Sequence, residues 1–232
     1  MRQEASGDLI VRVDDVHKSY GSGASRVDAL TAVSLQVEAG EFLALSGPSG
    51  SGKSTLLNLI GALDVPTSGT ILLEGKAIGG LSRTALARIR RDRLGFVFQA
   101  YNLIPIMTAV ENTEFTLALQ RRPKQQRRAL AMEALAQVGL AHLADRLPGE
   151  LSGGQQQRVA IARAIAPGPA VILADEPTAN LDSVSTAVLL DLMQDLNNRQ
   201  KVTFIFSTHD TRVLERAKRI VEMVDGRCSV HQ

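Results

Sequence analysis

The sequence predicts an α/β fold class, a mostly parallel sheet alternating with helices, and three observations carry that expectation. Phe42-Leu43-Ala44-Leu45, Val171-Ile172-Leu173-Ala174 and Val202-Thr203-Phe204-Ile205-Phe206 are short, largely apolar runs, the pattern of strands buried on both faces. The first run passes through a glycine-rich loop into Leu56-Leu57-Asn58-Leu59-Ile60, so a strand, a turn and a helix follow one another. Between the first and second runs, over about 100–163, the periodicity turns helical, with Leu130, Ala134, Leu135 and Val138 ahead of a Gly139 stop.

Taken in order, the residues up to about Ile78 read as short apolar strands and turns, broken by a helix after Ser54 with apolar positions Leu56, Leu59, Ile60 and Leu63. Leu147-Pro148-Gly149 then leads out of the helical stretch into Leu151-Ser152-Gly153-Gly154-Gln155 and a further helix running to about Ala164. An amphipathic helix bearing Val188, Leu189, Leu192, Met193 and Leu196 separates the last two apolar runs, and Asp225-Gly226 marks a hairpin near the end. No internal repeat or low-complexity linker interrupts this order.

The glycine-rich loop carries the first chemistry. Gly47-Pro48-Ser49-Gly50-Ser51-Gly52-Lys53-Ser54 matches G-x-x-x-x-G-K-[ST] at every fixed position. Glycines let successive backbone N–H groups curl around a β-phosphate, the following helix adds its positive end, and Lys53 sets a point charge against the β- and γ-oxygens. The Ser54 hydroxyl is the candidate Mg²⁺ ligand of this loop. Gly47, Pro48, Ser49, Gly50, Ser51, Gly52, Lys53, Ser54 and Thr55 are thus the expected contacts to ATP.

The second apolar run ends in Asp175-Glu176, two carboxylates where a buried parallel strand opens on a site. Asp175 is expected to accept hydrogen bonds from water around Mg²⁺, and Glu176 to polarise the water that attacks the γ-phosphate. Adjacent acids at a strand end also occur without any catalytic role, so the phosphate loop upstream is what gives this pair its meaning.

In the order of these motifs the chain resembles the nucleotide-binding subunit of an ABC (ATP-binding cassette) transporter over nearly its whole length. The resemblance implies a P-loop NTPase (RecA-like) core with an N-terminal antiparallel β subdomain and an inserted α-helical subdomain. The division expected is about 1–99 and 164–232 for the core, with about 100–163 as the helical subdomain carrying the signature. It also assigns roles. Tyr20, in His17-Lys18-Ser19-Tyr20-Gly21, falls where an aromatic stacks on adenine, although a strand-end aromatic covering the core would look the same. Gln99, after Gly95-Phe96-Val97-Phe98, falls at the family's Q-loop glutamine, with a reach to the metal and the attacking water. His209, closing Phe204-Ile205-Phe206-Ser207-Thr208, matches the switch histidine that contacts the γ-phosphate.

Leu151 to Gln155 is the family's signature. Ser152, Gly153, Gly154 and Gln155 stand at a helix N-terminus, where unpaired N–H groups and the helix dipole favour an anion. The resemblance places that anion, a γ-phosphate, on a second subunit. Pro177-Thr178-Ala179-Asn180-Leu181-Asp182 resembles the D-loop of the dimer interface, and Asp182 can also cap the helix beginning near Ser183. With one copy of each motif, the chain holds half of a two-site ATPase and is expected to form a homodimer in the ATP-bound state.

Composition narrows the setting. The 232 residues are 44% hydrophobic, enough for a substantial core, and Cys228 is the single cysteine, so no disulfide framework is expected. Met1–Asp8 contains no apolar leader segment, and no run of about eighteen apolar residues suggests a membrane span. Net charge is +2, from 26 basic and 24 acidic residues, so nucleic acid is not an expected partner. Two basic clusters, Arg83, Arg88, Arg90, Arg91 and Arg93, then Arg121, Arg122, Lys124, Arg127 and Arg128, read either as solvated helix faces or as contacts to an anionic surface or partner.

Within the family, the chain is most similar to the MacB/LolD-like group. Gly61-Ala62-Leu63-Asp64-Val65-Pro66-Thr67-Ser68-Gly69, Leu94 to Pro105 and Ala174 to Asp182 carry that similarity, while Ala179 stands where many relatives have Gly. The implied function is ATP hydrolysis that powers a separate integral membrane permease for export, efflux or lipoprotein release. The implied location is the cytoplasmic face of the inner (plasma) membrane. A non-transport ABC ATPase and the ATPase subunit of an importer are the competing readings.

Overall fold

The computed structural model describes residues 8–231. The leader reading of the first residues therefore falls, for Met1–Gly7, outside the described residues. The elements in chain order are β1 (Leu9–Tyr20), β2 (Val27–Glu38), β3 (Phe42–Ser46), α1 (Lys53–Ile60), β4 (Ser68–Leu73), β5 (Lys76–Ala77), α2 (Arg83–Arg93) and β6 (Leu94–Phe98). There follow α3 (Ala109–Leu119), α4 (Lys124–Gln137), α5 (Gly153–Ile165), β7 (Val171–Asp175), α6 (Ser183–Gln200), β8 (Thr203–Ser207), α7 (Thr211–Leu214), β9 (Arg219–Val224) and β10 (Arg227–His231).

Two sheets organise the chain. A four-stranded antiparallel sheet has the order β2-β1-β4-β5, and a six-stranded sheet has the order β10-β9-β3-β8-β7-β6. Within the larger sheet β6, β7, β8, β3 and β9 run parallel, and β10 returns antiparallel to β9. The apolar runs lack alternation because both faces of this sheet are covered. Leu43, Leu45 and Ile205 pack into one hydrophobic cluster with α1 and the antiparallel sheet, while Phe42, Phe204 and Phe206 pack into another with α5 and α6. In the second cluster the Phe42 ring centroid lies 4.5 Å from that of Phe206.

Register fixes where the strands end. Phe98 pairs with Asp175, Asp175 with Ser207, and Ser207 with Leu45, so β6, β7, β8 and β3 finish abreast. The next residues along each chain are Gln99, Glu176, Thr208 and Ser46. A ligand crevice at the carboxyl ends of parallel strands follows from this topology.

The helical stretch forms α3, α4 and α5 packed on one another and on β6. Thr108 caps α3 through a reciprocal box with Glu111, the Thr108 hydroxyl accepting from the Glu111 N–H at 3.3 Å and the Glu111 carboxylate accepting from the Thr108 N–H at 2.8 Å. Gly139, at φ +72°, closes α4, and the Leu140 N–H returns to the Leu135 carbonyl at 2.7 Å.

Two features differ from the sequence reading, and a third agrees with one of its alternatives. The helix after Ser54 stops at Ile60, because Gly61 and Ala62 (φ +53°) turn the chain, and Leu63 is left half-exposed. β1 and β2 are twelve-residue strands, not short ones, carried through irregularities near Asp15 (φ +46°). The first basic cluster is α2, a helix whose single buried side chain is Leu86, with Ile89 three residues on packed against the same core cluster. Its arginines are largely engaged within the chain: Arg93 pairs with Glu74, Arg91 with Asp92, and Arg90 donates to the Ala62 carbonyl. In the second cluster Arg127 and Arg128 face Glu114.

Candidate active site

The phosphate loop joins β3 to α1 and can take its path only with glycine at two positions. Gly47 has φ +145°, and a Cβ there would lie 2.1 Å from the Met223 carbonyl oxygen; Gly52 has φ +100° and would meet the Ala29 carbonyl at 2.7 Å. The Asp225-Gly226 hairpin turn, with both residues at positive φ, braces the loop from below, the Gly226 N–H donating to the Ser51 carbonyl at 3.1 Å. Lys53 is buried and folds back over the loop, its Nζ donating to the Gly47 and Pro48 carbonyls at 2.7 and 2.9 Å. Those partners are neutral carbonyls, so its charge is available to an anion in the loop.

This loop forms one wall of a cleft of about 900 Å³, with Gln99, Glu176, Ala179 and His209 opposite and Asp28 at its edge. Ser54 Oγ donates to Asp175 Oδ1 at 2.9 Å, across 121 residues of sequence. A hydroxyl beside a carboxylate is a hard oxygen donor set, which suits Mg²⁺. Among the described residues no group of three His, Cys, Asp or Glu side chains could hold a metal by itself. A cation here would therefore keep water and phosphate oxygens in its shell, as Mg²⁺ does at nucleotide sites.

Glu176 is held with unusual constraint. Its backbone sits at φ +46°, uncommon for a residue with a Cβ, and its N–H donates to the Ser207 carbonyl at 2.9 Å. Its Oε1 lies 2.8 Å from His209 Nδ1, while Oε2 is buried without a partner. An ionised carboxylate can only accept, so Nδ1 carries the proton in this contact and Nε2 is the nitrogen left for other partners. Two residues beyond the same acid, Thr178 donates to Asp210 Oδ2 at 2.9 Å. The Arg212 guanidinium, with Thr178 and the Arg212 N–H, holds the Asp210 carboxyl below the usual carboxylate range against its partial burial.

Gln99 faces the cleft and is tied to the loop after Glu176, with Asn180 Nδ2 donating to the Gln99 carbonyl at 3.0 Å. Tyr101 and Asn102, both in the left-handed region, continue the Gln99 loop, and Arg163 of α5 donates to their carbonyls at 2.8 and 2.5 Å.

Tyr20 stands beside Thr55 at the start of α1, half-exposed, and does not line the cleft. Its hydroxyl donates to Asp64 Oδ2 at 2.9 Å, and Lys18 Nζ lies 4.7 Å from its ring centroid while donating to Asp64 Oδ1 at 2.7 Å. Burial, then the Asp64 carboxylate, raises the pKa of the phenol. The ring is thus locked in place with its unoccupied area toward solvent.

Ser152, Gly153, Gly154 and Gln155 form the N-terminus of α5 and do not line the cleft of their own chain. Ser152 caps the helix, accepting from the Gln155 N–H at 3.3 Å, and Gln155 Oε1 accepts from the Ser152 N–H at 2.9 Å. A Cβ on Gly153 would lie 2.8 Å from the Tyr101 hydroxyl, and one on Gly154 2.9 Å from Ser185 Oγ. Asp182 caps α6, accepting from the Ser185 N–H at 2.8 Å.

The structure thus gathers Ser49, Gly50, Ser51, Gly52, Lys53, Ser54, Thr55, Gln99, Glu176 and His209 around one cleft, and leaves the signature elsewhere on the surface. Asn180, Lys18, Asp64, Gln157 and Arg163 organise the site without having been singled out by the sequence. All are polar residues whose partners lie 20 or more positions away, except where they touch a neighbour, and such pairings have no local pattern.

Comparison with known proteins agrees with this geometry. The family model described as ABC transporter matches residues 30–179. The chain is 47% identical over 218 residues to the macrolide export ATP-binding/permease protein MacB of Hyphomonas neptunium, covering 94% of this chain and 34% of that protein. It therefore spans about a third of the length of that relative. Among solved structures it resembles the dimeric bacterial ABC transporter cassette MJ0796 (43% identity, TM-score 0.87, 95% of this chain and 97% of that one). The post-hydrolysis form of MJ0796, bound to ADP and Pi, gives a TM-score of 0.88 at 43% identity, over 96% and 98% of the two chains. CbiO1 of Clostridium perfringens, part of the transporter complex CbiONQ, gives 0.86 at 30% identity, over 96% and 88%. With a phosphate loop, an acid pair and a histidine brought to one row of strand ends, and a family match across residues 30–179, the chain belongs to the ABC transporter family as one of its ATPase cassettes.

Proposed function

We propose that two copies of this cassette bind two ATP molecules between them and use closure and reopening of the dimer to drive a separate membrane permease of the MacB/LolD-like kind. The single observation that carries the proposal is the separation of the two phosphate-binding elements. The cleft holds the phosphate loop, Glu176 and His209, while the Ser152 N-terminus of α5 does not line it. A head-to-tail pairing brings the signature of one copy to the cleft of the other.

In this reading the loop N–H groups and Lys53 hold the β- and γ-phosphates, and the Tyr20 ring carries the purine. Ser54 and Asp175, with Gln99 beside them, hold Mg²⁺, which supplies neutralisation of phosphate charge when bound. Glu176 orients and polarises the attacking water, and His209 reaches the γ-phosphate. Ser152, Gly153, Gly154 and Gln155, with Asp182 nearby, close the site in trans. Loss of the γ-phosphate removes the anion that both copies share, and the dimer parts.

No described helix is long and apolar enough to cross a membrane, so the permease in this proposal is another chain or another part of a longer one. The working location is the cytoplasmic face of the inner membrane, through that permease. The 47% identity to a macrolide export protein favours the export-type group.

The test is affinity purification of tagged Glu176→Gln from detergent-solubilised native membranes with ATP and Mg²⁺, with bound proteins identified by mass spectrometry. A few-span permease with a large external domain is the expected partner. Recovery of only non-membrane proteins would move the chain to the non-transport ABC class.

A further inference from the structure

Gln157 is fully buried on α5, five residues beyond the signature serine, and none of the recognised motifs gives it a task. Its Nε2 donates to the Pro177 carbonyl at 2.6 Å and lies 3.4 Å from the Phe98 carbonyl. These two carbonyls belong to the residue after Glu176 and the residue before Gln99. No backbone N–H of the described residues donates to Pro177 O. On its other side Glu176 is held by the Ser207 carbonyl, 2.9 Å from its N–H, and the Ala179 N–H reaches the Glu176 carbonyl at 3.3 Å.

A glutamate at φ +46° persists only where its surroundings over-determine it. We infer that Gln157 is a positioning residue: its amide fixes the strained Glu176 backbone and the start of the Gln99 loop to the signature helix. A shift of that helix is then transmitted to both groups around the attacking water. The inference rests on the proposed role of Glu176.

The amide is a poor device for stability alone. Its Oε1 is buried with no partner, a loss that methionine of similar length would not incur. Holding the Pro177 carbonyl is what methionine cannot do. Gln157→Glu offers a finer probe, since a protonated carboxyl can donate to that carbonyl and an ionised one cannot. Surrounded by carbonyl oxygens and buried, such a carboxyl would titrate above the usual range.

The test measures ATP affinity, KM and kcat of the purified wild type, Gln157→Met, Gln157→Glu and Glu176→Gln across pH. Gln157→Met is expected to bind ATP within about threefold of wild type while kcat falls about 10- to 100-fold. For Gln157→Glu, kcat relative to wild type is expected to fall as pH rises, while the Gln157→Met ratio stays flat. A folded Gln157→Met with wild-type kcat, or equal losses of affinity and kcat, overturns the inference. If Gln157→Met does not fold, a pH-independent ratio for Gln157→Glu overturns it alone. Fast turnover in Glu176→Gln contradicts the reading of Glu176; slow turnover there with unimpaired Gln157→Met contradicts only the positioning assignment.

Discussion

His209 Nδ1 lies 2.8 Å from Glu176 Oε1, although the two residues follow different strands and are 33 positions apart. The contact exists because β7 and β8 end abreast, with Asp175 opposite Ser207, so the residues just past each end share one side of the cleft. It orients the imidazole by one nitrogen and leaves the other for a further partner.

Glu176→Gln keeps the shape of the side chain and removes its basicity. Steady-state assays are expected to show kcat lowered by about 10²- to 10⁴-fold, with ATP binding retained. His209→Ala should lower kcat while leaving the affinity of the phosphate loop close to wild type. Turnover at the wild-type rate in Glu176→Gln would remove that residue from the chemistry.

Lys53→Ala deletes the one charge folded over the phosphate loop and leaves the Gly47 and Pro48 carbonyls without their donor. A charge-assisted contact of this kind is worth about 1.5–3 kcal/mol, so equilibrium titration should show ATP affinity lower by about 10- to 100-fold. Unchanged affinity would contradict the assignment of the loop.

Much of this was legible in the sequence, for a physical reason. The phosphate loop needs Gly47 and Gly52 because backbone passes where a Cβ would be, and the apolar runs needed no polar face because helices or sheet cover both sides. Local constraints leave local patterns. Asn180 on Gln99, Arg163 on the Tyr101 and Asn102 carbonyls, and Gln157 on Pro177 leave none, since each is a polar side chain meeting backbone or a distant side chain in a register only the fold sets. Helix α2 was legible only as a basic run that fits a solvated helix face, because only Leu86 of its side chains is buried.

Asp64 ties Lys18 and Tyr20 together, and its ionisation should be visible in stability. Burial is the largest influence on its carboxyl and works upward, but Lys18, the Val65 N–H and the Tyr20 hydroxyl together bring the pKa below the usual value. A depressed carboxylate stabilises the fold above the unfolded-state value near about pH 4, and that contribution fades as pH falls through the lower folded value. Asp64→Asn leaves the buried Lys18 without its carboxylate and should cost on the order of 1–2 kcal/mol near neutral pH. Chemical denaturation should show the difference from wild type shrinking in acid. A difference that grows in acid would contradict the ion pair's role.

The central claim is that each ATP site is composed from two chains, and mixing two inactive variants tests it most directly. Lys53→Ala spoils the cleft and keeps the signature; Ser152→Arg keeps the cleft and fills the signature helix N-terminus with positive bulk. Each alone should have little ATPase activity. In an equal mixture, dimers of one of each contain one intact composite site, so activity should return to about a quarter of wild type at most, by random pairing of protomers. No recovery, with native mass spectrometry showing that the mixed dimer forms in ATP, would contradict a site shared between two copies.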